Sequence, residues 1–169
     1  MISASKKILI LFVVALAFIF FRIYNIENPF STNGIDEGIH LLQAKMVGEG
    51  YNLYGDLGGD QAPLVIMIFS AFKGNVMISR YLSFFLFLAS SLSSFLIASH
   101  LRDKRAGVFT VLVLALDFTL LRESRLASLD LFSASLLCIS ALFFILYIDK
   151  KNWKNIVPAS FFLCHVLPK

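Results

Sequence analysis

Cysteine is nearly absent from this chain. Cys138 and Cys164 are the only two in 169 residues; each lies inside an apolar segment and no metal-ligand spacing joins them. Two buried thiols fit that pattern better than a metal centre. The period-two alternation that a membrane β-barrel requires is missing. There is no low-complexity tract, no clear internal repeat and no composition break that would divide the chain into two domains. The first apolar run lacks a small-x-small cleavage site, since it exits through Phe20-Phe21-Arg22-Ile23-Tyr24. An uncleaved span is therefore preferred to a removable signal peptide. Basic excess is also small: the net charge is +4, with the basic residues at the ends of hydrophobic runs. Such placement marks membrane topology rather than nucleic-acid binding.

What the chain has in abundance is apolar sequence. Hydrophobic residues make up 58% and the mean hydropathy is +0.79, beyond the roughly 45–50% of soluble domains. They come in long runs, and a span takes roughly 20 residues, so about five spans would use most of the chain. An all-α polytopic membrane fold follows, because lipid requires each backbone polar group to be satisfied within its own segment.

The expected spans are 8–21, 80–100, 106–121, 131–148 and 156–167. The interval 25–79 forms the first external loop. The run 63–72 is too short to cross and is read as an interfacial or re-entrant helix. With that assignment Lys6/Lys7, Arg102/Lys104/Arg105 and Lys150/Lys151/Lys154 all fall on one side. The positive-inside rule makes that side cytoplasmic and puts the amino terminus there, in a multi-pass protein of the cell membrane. Within the loop, Ser31, Thr32 and Asn33 offer helix caps. Ile35, Ile39, Leu42 and Met46 then recur at helical spacing, as a short helix lying in the membrane interface would require.

The candidate chemistry gathers in that loop. Asp36 and Glu37 open the interfacial helix, where the helix dipole favours carboxylates. A carboxylate there suits a general base taking a proton from an acceptor hydroxyl. A divalent metal held by Asp36 with Asp56 or Asp60 is an open alternative. His40, four residues after Asp36, shares its helical face. Lys73 and Arg80 either meet a phosphate or snorkel to the interface. Arg122, Glu123, Arg125 and Asp130 lie near the outer surface. Asp117 is either an intramembrane functional carboxylate or a helix-end residue. His100 and His165 receive no role.

The order of these pieces carries a resemblance. A short basic start and one span lead to Asp36-Glu37, an Ala, and a Gly-x-x-Tyr turn. Asp56, Pro63-Leu64 and Arg80 at the next span follow, then Arg105-Ala106-Gly107, then Ser124-Arg125 and Asp130. This resembles the amino-terminal part of the C-type integral-membrane glycosyltransferases, and more narrowly the protein O-mannosyltransferase and aminoarabinose-transferase superfamily. The resemblance implies transfer of a sugar, with inversion, from a polyprenyl- or dolichyl-phosphate donor at the external face. It implies Asp36 as the base for the acceptor with Glu37 as its neighbour, and Arg125 with Asp130 shaping the site; some members hold a metal and others do not. The sequence departs from the pattern at Ala62-Pro63, where Pro-Pro is usual, and at His40, where Tyr is common. The later spans of a typical member, which help bind the carrier, do not follow. The expectation is a truncated or split enzyme, completed by a second membrane chain. The competing expectation is a non-catalytic membrane remnant or assembly partner. A small transporter fits less well, since the polar groups gather outside the membrane.

Overall fold

The computed structural model describes residues 17–28, 35–59, 63–150, 154, 156–158 and 160. Among these the chain is helical, with no strand. Helix α1 covers residues 17–23 of the described chain. It is followed by α2 (Ile35–Gly48), α3 (Pro63–Ser70), α4 (Val76–Leu101), α5 (Lys104–Leu116), α6 (Phe118–Glu123) and α7 (Leu129–Lys150). Two helices are long and apolar enough to cross a membrane, Val76–Leu101 and Leu129–Asp149.

Local chemistry sets several of the boundaries. Asn75 caps α4, its side chain accepting from the Ile78 N–H at 3.1 Å. Asp103 caps α5 by accepting from Ala106 N–H at 2.7 Å. Each satisfies a donor that the first helical turn leaves without an intrahelical partner. Pro63 opens α3, a position that needs no N–H donor. Between α2 and α3, Asn52 organises the loop. Its side-chain oxygen accepts from Tyr54 and Gly55 N–H, while its own N–H donates to Asp56 Oδ2 at 2.7 Å.

The core lies where α2, α3 and the start of α7 meet. Leu41, Ala44, Leu53, Val65, Ile66, Phe69, Ala127 and Phe132 form one buried cluster. The rings of Phe69 and Phe132 meet edge-on with centroids 5.2 Å apart. At the turn into α4, Gly74 has φ +64°, and a Cβ there would run into the Leu41 carbonyl. Both the backbone angle and the close approach demand glycine. This turn brings α2 and α3 to the amino-terminal end of α4.

Helices α4 and α7 run parallel. The carboxylate of Glu37 bonds both Arg80, near the start of α4, and the Ala127 N–H just before α7. Farther along, Cys138 of α7 meets Ser94 of α4 at 3.1 Å. The basic residues Arg102, Lys104 and Arg105 thus lie at the same end of the pair as Asp149 and Lys150. Helix α5 returns beside α4, close enough that a Cβ on Gly107 would collide with Ser99 and Phe95. Small residues allow such close helix approach.

One expectation changes here. The run 106–121 is not one helix: Asp117 ends α5 and caps α6, accepting from Leu120 N–H at 2.8 Å. At about 1.5 Å per residue, the 13-residue α5 alone is short of a bilayer core, and α6 carries the chain on to the end where Arg122 and Glu123 meet Asp36 and Glu37. Asp117 is therefore a helix-end residue. The expected spans 8–21 and 156–167 fall largely outside the described residues. The run at 63–72 is short, as expected, with eight helical residues. On α2, Ile35 is 71% exposed and Leu42 59%. The face that packs inward is the opposite one, with Glu37, Leu41 and Ala44.

Candidate functional site

A cleft of about 360 Å³ opens at the amino-terminal ends of α4 and α7. One wall is the first turns of α2, with Asp36, Glu37 and His40; the other is the segment from Arg122 to Asp130. Helical geometry explains the first wall. Glu37 points inward with Leu41, and Asp36 and His40 lie together on the flank of that face. Asp36 is exposed, and no side-chain partner engages it among the described residues. His40 is half-buried, and its Nδ1 has no hydrogen-bond partner among the described residues.

Behind this wall sits a buried ion pair. Arg80 Nε and Nη2 donate to the two carboxylate oxygens of Glu37 at 2.8 and 2.7 Å. Glu37 also accepts from Ala127 N–H at 2.8 Å, and Arg80 Nη1 donates to the Ile26 and Glu27 carbonyls. Both side chains are only 7% exposed. The two-pronged geometry and the extra bonds are what a buried pair needs if it is to offset its desolvation. This one pair joins the end of α1, the start of α2, the start of α4 and the entry to α7.

The phosphate role expected of Arg80 therefore needs correction. Its guanidinium is closed off and occupied by protein acceptors, so it acts as a strut behind the cleft. Glu37 likewise holds the framework, and Asp36 is the carboxylate that faces the opening. Arg125 is 1% exposed. It donates to the Phe21 carbonyl at 3.3 Å and the Asn25 carbonyl at 2.7 Å, closing the carboxy-terminal end of α1. Burial first, and the nearby charge of Arg80 second, lower its pKa from the usual arginine value. Asp130 is exposed and lines the cleft opposite α2.

Of the residues expected from sequence, the fold brings together Asp36, Glu37, His40 and Asp130 at the cleft, with Arg80 and Arg125 buried behind it. Lys73 is exposed in the turn after α3 and does not line the cleft. Asp56 is held in its own turn by Asn52, and Asp60 lies outside the described residues. Among the described residues no group of three His, Cys, Asp or Glu side chains is placed to hold a metal ion.

Sequence reasoning missed the central part played by Glu37. Its partner Arg80 is 43 residues away and its third bond is to a backbone N–H 90 residues away, so no local spacing signals it. It also missed Arg22. That guanidinium is 1% exposed, sits over the rings of Phe18 and Phe87 at 3.9 and 4.4 Å, and donates to the Leu114 carbonyl at the end of α5. An arginine inside an apolar run is the signal that was available.

The class these features define is an all-helical protein, with two helices of membrane-crossing length and a polar cleft at one common end of them. Comparison with protein-family models, with curated proteins and with solved structures finds no match to this chain.

Proposed function

We propose that this chain is a multi-pass membrane glycosyltransferase, or the amino-terminal part of one. It takes a sugar from a polyprenyl-phosphate donor at the face opposite the basic helix ends. The observation that carries the reading is the meeting of Asp36, His40 and Asp130 around one cleft, from segments nearly a hundred residues apart. Asp36 is the base: it is exposed, and held in place because its neighbour Glu37 is locked to Arg80 and Ala127. A base needs only hydrogen-bond reach of the acceptor hydroxyl and a fixed position. His40 and Asp130 bind sugar or acceptor hydroxyls from the flanks. The cluster of basic residues at the far ends of α4 and α7 supports a cytoplasmic location for those ends, and so an external cleft. The outward stripe of Ile35, Ile39 and Leu42 supports α2 lying in the bilayer interface, beside a lipid-borne donor.

A second reading is favoured by one observation. In the most apolar windows of the two candidate spans, only 28% is buried inside the fold. Lipid or a further membrane chain covers the rest. In the second case the chain is an assembly partner, and a second chain completes the carrier site.

The test is sugar transfer in membranes containing the chain, alone and with any adjacent membrane-encoded product, offered a mixed pool of polyprenyl-phosphate sugars. Transfer that disappears in Asp36→Asn, with membrane insertion unchanged, supports the enzyme. Transfer that survives that change refutes Asp36 as the base. Transfer only with the second chain establishes the assembly.

A further inference from the structure

We infer that Arg122 forms the anion-binding corner of this cleft and recognises a phosphate group through the end-on edge of its guanidinium. The inference deepens the reading of the cleft as a site for a phosphate-bearing donor. It rests on how the arginines are used. Arg80 and Arg125 are buried and occupied by carbonyl or carboxylate oxygens. Lys73 stands outside the cleft, and Arg122 is the arginine that lines it. Its side chain is 38% exposed.

The geometry of its one partner matters. Arg122 Nε and Nη2 both donate to a single oxygen, Oε1 of Glu123, at 2.9 and 2.6 Å. Glu123 thus grips one side of the planar fork. The Nη1 group is not engaged by any described residue. What remains open is the Nη1–Nη2 edge, the paired-donor edge that matches two oxygens of a phosphate. Glu123 fixes the plane of the fork, and this orientation is in place before a ligand arrives. A half-exposed pair between adjacent residues adds little to the stability of the fold, so its value lies in positioning.

The rest of the cleft opposes an anion. Asp36 and Asp130 both face it without a basic partner among the described residues. A phosphate at Arg122 is therefore held against that repulsion, and removing one carboxylate should tighten it. The two opposite responses locate the ligand in this cleft more sharply than a single loss could.

The test is calorimetric titration of the full chain in detergent micelles with farnesyl phosphate, with farnesol and inorganic phosphate as parallel probes. Farnesyl phosphate should bind the unaltered chain. Arg122→Ala should weaken it about tenfold or more, the scale of losing a charged hydrogen-bond pair. Arg122→Lys, which keeps charge but loses the fork, should fall between. Asp130→Asn should tighten binding, and Lys73→Gln should leave it unchanged. Inorganic phosphate binding with the same Arg122 dependence supports the site and makes the free anion its ligand. Binding of farnesyl phosphate without inorganic phosphate makes a lipid headgroup the ligand. Equal binding by Arg122→Ala, loss confined to Lys73→Gln, or no binding of either phosphate overturns the inference. Sugar transfer is not read in this experiment. A chain that binds phosphate through Arg122 but transfers nothing would leave this site standing and remove the enzyme.

Discussion

Replacing Glu37 by Gln is the sharpest test of how the cleft is built. The change keeps side-chain shape and removes the charge. Three bonds converge on this carboxylate: two from Arg80 and one from Ala127 N–H, at 2.7 to 2.8 Å. An amide in its place turns one acceptor into a donor that faces the donors of Arg80. It also leaves a guanidinium buried with no counter-charge. Removing one partner of a buried pair costs about 3–5 kcal/mol, whereas replacing both by apolar groups of like volume costs far less. Glu37→Gln and Arg80→Met should each therefore destabilise strongly, and Glu37→Leu with Arg80→Met should recover part of the loss. In a double-mutant cycle the coupling should exceed about 1 kcal/mol. The assay is reversible unfolding in mixed micelles followed by circular dichroism. On the scale for chains of this size, about 2–4 °C per kcal/mol, each single change lowers the midpoint by roughly 6 °C or more. A shift under about 2 °C for both would refute the strut. So would a Glu37→Gln protein that is fully stable yet inactive, since that would return Glu37 to the chemistry.

The contrast with the neighbouring carboxylate is itself a prediction: Asp36→Asn should abolish transfer while moving the unfolding midpoint by less than about 2 °C, because no side chain depends on it. Asp117→Ala should cost about 1 kcal/mol by uncapping α6, read as a lower midpoint in the same unfolding assay. Gly107→Ala tests the α4–α5 contact. Helix propensity alone would favour alanine by up to about 1 kcal/mol, but the new Cβ would meet Ser99 and Phe95. A net loss of about 1–3 kcal/mol is expected, and a gain in stability would show that the two helices do not approach so closely.

Run length and hydropathy made the helical class and the two helices of membrane-crossing length legible in the sequence, because both act locally and need no partner. The sequence also determined the shortness of 63–72 and the shared face of Asp36 and His40, which are consequences of helical pitch. Boundaries made by caps were not legible: Asn75 and Asp103 carry ordinary N-cap side chains, but only the fold shows which turn each one starts, and Asp117 stood equally as an intramembrane carboxylate or a helix-end residue. Which polar residues face the cleft depends on packing between distant segments. Asp36 and Glu37 are adjacent and chemically alike, and one helical step of about 100° sends one to the opening and the other into the core. Arg80, Arg125 and Arg122 look equally free as sequence. Burial and the positions of distant carbonyls occupy the first two and leave the third with an open edge. Those partners lie 43 to 104 residues away, and charge burial is settled by three-dimensional neighbours that no spacing along the chain encodes.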